Sequence, residues 1–266
     1  MRIIISPAKR MNADTDTLLY RDLPVFLPRT QQLLDRLREM NEDELKKLWK
    51  CNDQIAALNV ERLRGMDLHR NLTPAIIAYE GIQYQYMAPD VFTQKEYDYA
   101  QEHLRILSGF YGALRPLDGV TPYRQEMQAR LRVGGAKDLY AFWGGELASS
   151  VLDRAGCVIN LASKEYSVCI SKYLPKDKRM ITCVFGEEID GKIIEKGTMC
   201  KMARGEMVRF MAVNQIENPE DIRAFDGLDY RYEAGCSCGY IRLPAKKSRE
   251  AAGIRIRTTV KAITPA

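Results

Sequence analysis

Four short clusters of polar and cationic residues stand at the ends of regular elements, where side chains can be aimed at a ligand. They are Ser6 and Lys9; Arg115, Tyr123 and Arg124; Asn160, Ser163 and Tyr166; and Lys201 and Arg204. A guanidinium group can grip phosphate through two N–H bonds, while a lysine acts as a mobile point charge. The stretch LSGFYG at 107–112 adds Gly109 and Gly112, which can take positive φ and let the backbone come close to a ligand. Residues 104–132 hold five arginines against Asp118 and Glu126, a local balance of +3. If the clusters converge, the site is cationic, rich in hydrogen-bond donors and poor in carboxylates. Its ligand is then a phosphate, a nucleotide or a nucleic-acid backbone. If they do not converge, the same residues are ordinary loop and capping residues.

Other chemistries find little support. The chain has no GxxxxGK[ST] loop, no GxGxxG after a strand and no GxSxG elbow. Its two histidines, His69 and His103, are far apart, and Cys236-Ser237-Cys238 is a single CxC without a second pair. No metal and no cofactor are therefore expected. No nucleophile–base pair is visible either, so an enzymatic reading names no reaction type; Lys9 would serve it as anion holder or general base, with Asp138 among the polar groups near the site.

The chain has 266 residues, of which 46% are hydrophobic, enough for one substantial core. Its apolar runs are too short to span a bilayer, so no membrane partner is expected. Seven scattered cysteines read as thiols in a reducing compartment, and the protein as cytosolic. The net charge of +5 is uneven: residues 242–266 carry seven Lys/Arg and one Glu, which leaves the rest at −1. An anion site in the body must therefore be a local patch.

The elements that must position these clusters follow from pattern. Arg2–Ile5 is a β-branched strand stopped by Pro7, and CVINL at 157–161 is a buried strand. Thr30–Met40, Glu42–Cys51 and Asp53–Leu63 are helices, the second entered through the capping box Asn41/Glu44. Pro74–Tyr79 reads as a strand, Thr93–Leu107 as one helix capped by Thr93, and residues 137–144 as an aromatic-rich turn. Glu146–Ala155 and Lys201–Ile216 are helices, Asp190-Gly191 centres a hairpin, and Gly239–Leu243 is a last strand. From Pro244 the chain is basic and reads as loose. Without repeats or a clear linker, this is a mixed α/β single domain.

Several long motifs stand in a recognisable order: ISPAK at 5–9, LSGFYGALRPLDGVTPYRQEM at 107–127, LYAFWG at 139–144, VINLASKEY at 158–166 and KMARGEMVRF at 201–210. With these the chain closely resembles the YaaA (UPF0246) family of peroxide stress response proteins, from Met1 to about Leu243. The resemblance implies a single α/β domain of unusual topology over 1–243, with a mixed sheet, surrounding helices and a positively charged cleft. It implies a helix-hairpin-helix-like element, matched to Leu107–Gly112, that binds duplex DNA with low sequence specificity. It also implies a role in limiting unincorporated iron during hydrogen peroxide stress. The alternative is an enzyme acting on a nucleotide or other phosphorylated small molecule in the same cleft. Residues 244–266 extend past the usual end of the family.

Overall fold

The computed structural model describes residues 1–153, 155–189, 192–230, 232–233, 240–242 and 252–259. The chain opens with β1 (Arg2–Ile5) and β2 (Arg10–Met11), and a loop then leads to α1 (Leu27–Arg38), α2 (Glu42–Trp49) and α3 (Asp53–Gly65). Short elements follow: β3 (Thr73–Pro74), α4 (Ala75–Ala78), β4 (Tyr79–Glu80) and α5 (Ile82–Met87). Next, α6 (Gln94–His103) runs into β5 (Leu104–Ser108), which turns back as β6 (Gly112–Leu114) before β7 (Gly119–Val120). The second half holds α7 (Leu139–Trp143), α8 (Glu146–Leu152), β8 (Cys157–Leu161), α9 (Lys164–Ser171), β9 (Arg179–Ile189), β10 (Lys192–Ile194) and α10 (Gly197–Val213). The strands β11 (Tyr232–Glu233), β12 (Tyr240–Arg242) and β13 (Ala252–Thr259) come last.

One mixed sheet carries the fold, in the order β11-β12-β13-β9-β8-β1-β5-β6, with β10 paired to β9. Its centre, β9-β8-β1-β5, is parallel, and the outer pairings are antiparallel. All four residues of β1 and all five of β8 are buried, as a parallel strand covered on both faces requires. Parallel strands bring their C-terminal ends to one edge, where open α/β sheets bind ligands. Ser6 and Ala162 follow β1 and β8 directly at that edge.

Several boundaries differ from the sequence reading. The expected helix Thr93–Leu107 ends at His103, because Leu104–Ser108 is fully buried between β1 and β6 and sheet pairing overrides the helical spacing. The helix-hairpin-helix-like element expected at Leu107–Gly112 is thus a strand–turn–strand. Ser108 Oγ accepts the N–H groups of Phe110 and Tyr111 at 3.1 and 2.9 Å and closes the turn. Pro74–Tyr79 is not one strand but splits into β3, α4 and β4, and residues 139–143 form a short helix, α7. The helix α10 starts at Gly197, so Lys201 and Arg204 lie inside it. The capping box of α2 is present in both directions, at 3.0 and 2.9 Å. Within the basic extension read as loose, Ala252–Thr259 pairs antiparallel with Met180–Glu187 of β9. The Asp190-Gly191 turn, the Cys236/Cys238 pair and the remainder of the extension lie outside the described residues.

Asp118 is buried in the loop before β7. Its Oδ2 accepts the Arg115 N–H at 2.8 Å, while its Oδ1 has no hydrogen-bond partner among the described residues. Burial pushes its carboxyl up to about 7, against the pull of the Arg115 N–H and charge. A carboxyl raised in the folded state stabilises fully below its unfolded value of 3.8, and that contribution is lost as pH climbs through about 7. Asp118→Asn keeps an acceptor for the Arg115 N–H and removes the titration. Denaturant unfolding from pH 4 to 7.5 is expected to show the wild type losing stability relative to the variant, by at most about 4 kcal/mol. Parallel pH profiles would refute the assignment.

Candidate functional site

A cavity of about 410 Å³ opens where the chain leaves β1 and β8. Its wall is built from Ser6–Arg10 after β1, the start of α5, the segment Tyr123–Glu126, the entry to α9, and one turn of α10. Ser6, Lys9, Tyr123, Arg124, Ser163, Tyr166, Lys201 and Arg204 all line it, so eight of the twelve expected residues meet. Gly109, Gly112, Arg115 and Asn160 do not.

Hydrogen bonds fix the frame. The Ser163 N–H donates to Ser6 Oγ at 2.8 Å, with the two hydroxyls 3.2 Å apart, tying the end of β1 to the end of β8. The Tyr84 hydroxyl donates to the Ser6 carbonyl at 3.0 Å. Tyr123 OH lies 2.6 Å from Ser108 Oγ and 2.8 Å from Tyr79 OH, and its ring stacks on Phe110 at 5.0 Å. Ser108 Oγ already accepts two N–H groups, so its own proton goes to Tyr123, whose proton then goes to Tyr79. This relay fixes Tyr123 in the wall; burial pushes its phenol well above the ordinary range.

The residues outside the cavity have structural duties. Asn160 Oδ1 accepts the Ala162 N–H at 2.9 Å and its amide donates to Thr182 Oγ1 at 3.2 Å, which shapes the turn that presents Ser163. Arg115 reaches Asp22 at 3.3 Å. Asp138 caps α7 through the Ala141 N–H at 2.8 Å. Gly112 does take positive φ, at 80°, among Phe26, Trp143 and Leu147. Gly109 permits a close approach, but to protein: a Cβ there would sit 2.8 Å from the backbone of Glu126 and Met127. Gly205 does the same for α10, where a Cβ would fall 2.1 Å from the Gln83 carbonyl of α5.

The lining holds five cations, Lys9, Arg10, Arg124, Lys201 and Arg204, and three carboxylates, Glu80, Glu126 and Glu165. The expectation of few carboxylates is therefore corrected. Glu126 holds Lys9 at 2.5 Å, Glu80 holds Arg10 at 3.2 Å, and Glu195 approaches Arg204 at 3.6 Å. Cations gathered without an anion repel one another, and these carboxylates offset that cost. Burial raises the Glu165 pKa, with the nearby Glu126 charge adding to the rise, while the Gln128 N–H and the Lys9 charge oppose it. Glu126 and Glu165 stand beside named residues, in YRQE at 123–126 and SKEY at 163–166, and that adjacency was the available signal; Glu80 had no such neighbour. Gln125, between Arg124 and Glu126, shared that signal, and Gln83 had none. The guanidinium Nε atoms of Arg124 and Arg204 and the Gln83 amide nitrogen are buried without a hydrogen-bond partner among the described residues. Such donors are costly to leave unpaired.

The protein is thus a mixed α/β fold with a parallel-centred sheet and a cation-rich cavity at its strand ends. The family model described as peroxide stress protein YaaA matches residues 1–235. A UPF0246 protein of Agathobacter rectalis is 56% identical over 238 residues, covering 89% of this chain and 95% of that protein. One from Pediococcus pentosaceus is 53% identical over 237 residues, with 89% and 94% covered. One from Lactiplantibacillus plantarum is 54% identical over 233 residues, with 88% and 94% covered. The chain belongs to the YaaA (UPF0246) family of peroxide stress proteins. No helix among the described residues is long and apolar enough to cross a membrane.

Gly205→Ala tests how the wall is held. The added methyl cannot fit against the Gln83 carbonyl, so α10 must move off α5. Urea unfolding is expected to show a loss of about 2 kcal/mol or more, in the range of overpacked cores. A change below about 0.5 kcal/mol would mean that the two helices are not so tightly joined.

Proposed function

We propose that the cavity binds a phosphate-bearing ligand and that the protein acts in the peroxide response through that binding. The observation that supports this most is the pairing of Arg124 with Arg204: they come from separate segments, line one cavity, and each keeps a buried Nε without a partner among the described residues. Lys201 is exposed at the same wall, and Lys9 is two-thirds exposed in its pair with Glu126. A phosphate oxygen is the acceptor such donors fit best. The cavity volume of about 410 Å³ suits a small phosphorylated molecule, not the width of a duplex. The second reading is duplex DNA lying across the mouth, favoured by exposed Arg10, Lys9 and Lys201 and by the basic residues 242–266. Contacts to backbone phosphates would give it little sequence preference. Limitation of unincorporated iron then follows indirectly, from the bound ligand.

Titration of the wild type, Arg124→Ala and Arg204→Ala with pyrophosphate, nucleotides and duplex DNA tests the proposal. Either substitution is expected to weaken anion binding about tenfold or more, an effect of ~1.4 kcal/mol, with little change in melting temperature. Small ligands that compete fully with DNA identify the cavity as the shared site. If DNA alone binds, with a log–log salt slope of about 0.9 per phosphate contact, the ligand is the duplex. Unaltered binding of every anion by both variants would refute the cavity. Ferrous iron titrated alone is expected to show no tight stoichiometric binding, and the opposite result would overturn the indirect route.

A further inference from the structure

A second cavity, of about 760 Å³, adjoins the first and has the opposite chemistry. The two share Arg10, Glu80, Gly81, Ile82 and Tyr84 in their walls. Arg10 and Glu80 are directly paired residues of β2 and β4, and their side chains meet at 3.2 Å while remaining largely in solvent. Such an exposed pair yields readily to a ligand lying across it. Gly81 presents no side chain to either compartment, and a Cβ there would crowd Ala8 at 3.1 Å.

Among the described residues Arg10 is the only cation in the second lining, which also holds Asp14, Glu80 and Asp90. A second phosphate group is disfavoured there. Asp14 is largely used by its own turn, accepting the N–H groups of Asp16 and Thr17 at 3.1 and 2.9 Å. Ile77 and Ile82, both partly exposed, supply a small apolar surface suited to the face of a flat ring. The amides of Asn12 and Gln85 can each donate and accept, as the edge of a nucleobase demands. A bare phosphate or pyrophosphate would leave this compartment unused.

We infer that the ligand is a nucleotide, its phosphate among Arg124, Lys201 and Arg204 and its sugar and base in the adjoining cavity. This rests on the phosphate reading of the first cavity. It adds a base subsite and a polarity: anion at the α10 end, ring at the α4–α5 end.

The test is calorimetric titration of the full chain with inorganic phosphate, pyrophosphate, and a panel of nucleoside mono- and diphosphates, in the wild type and in Gln85→Trp. Gln85 is exposed on α5 and lines the second cavity alone, so the indole is directed at the proposed base subsite. The best nucleotide is expected to bind at least about tenfold tighter than the inorganic anion of equal phosphate number. Gln85→Trp should remove that advantage and leave the inorganic anion within about twofold. Arg204→Ala should weaken both. Nucleotides that bind no tighter than inorganic anions in the wild type overturn the inference, whether or not the tryptophan variant folds. So does a Gln85→Trp variant that leaves the nucleotide advantage intact or lowers both kinds of ligand alike. In those cases binding of the inorganic anion leaves the phosphate reading standing. If neither kind of anion binds the wild type, that reading fails as well.

Discussion

Two contacts between backbones, each made possible by a glycine, set the position of nearly everything else in the site. At Gly109 the β5–β6 turn lies against residues 125–127, and at Gly205 helix α10 lies against the first turn of α5. In both places a single Cβ would fall well inside contact distance of main-chain atoms, 2.8 and 2.1 Å away. The first contact places Tyr123–Glu126; the second places Lys201 and Arg204 opposite Gln83 and Tyr84. The glycines near the cations thus shape the cavity indirectly. They bring protein to protein so that side chains from distant segments share one wall.

The energetics of the charged groups leave the cations available to an anion such as the one proposed above. Lys9 and Glu126 form a close pair, yet the lysine is 64% exposed, and such pairs contribute about 0–1 kcal/mol. A phosphate oxygen can displace Glu126 at small cost. Arg204 is only 15% exposed, and its nearest carboxylate stands at 3.6 Å. A buried guanidinium with an unpaired Nε is the stronger and more directional partner for an anion. The carboxylates therefore offset the repulsion among the gathered cations without saturating their donors.

Elements with one dominant local cause were legible in the sequence. CVINL forms β8 with the expected bounds because five buried residues in a row suit a central parallel strand. The start of α2 is fixed by a reciprocal side-chain cap that needs only Asn41 and Glu44. The placing of Ser6 and Ser163 at one sheet edge was legible as well, since each directly follows or caps an element there, whereas the convergence of Lys9, Arg124 and Arg204 on them was left open by the sequence. What tertiary packing decided was not legible. Leu104–Ser108 carries helical spacing, but pairing with β1 and β6 makes it a strand. Gln83 joins the wall only because α5 folds across it, and nothing local in its sequence marks it.

The central claim is that Arg124 and Arg204 together hold a phosphate in one cavity. The most direct measurement follows the arginine Nε–Hε resonances of the full chain by NMR while pyrophosphate is added. The expected result is that the signals of Arg124 and Arg204 shift together and saturate with one dissociation constant, as two unpaired donors gain the same acceptor. Shifts spread evenly over exposed arginines such as Arg130 and Arg132, without saturation at these two, would contradict it.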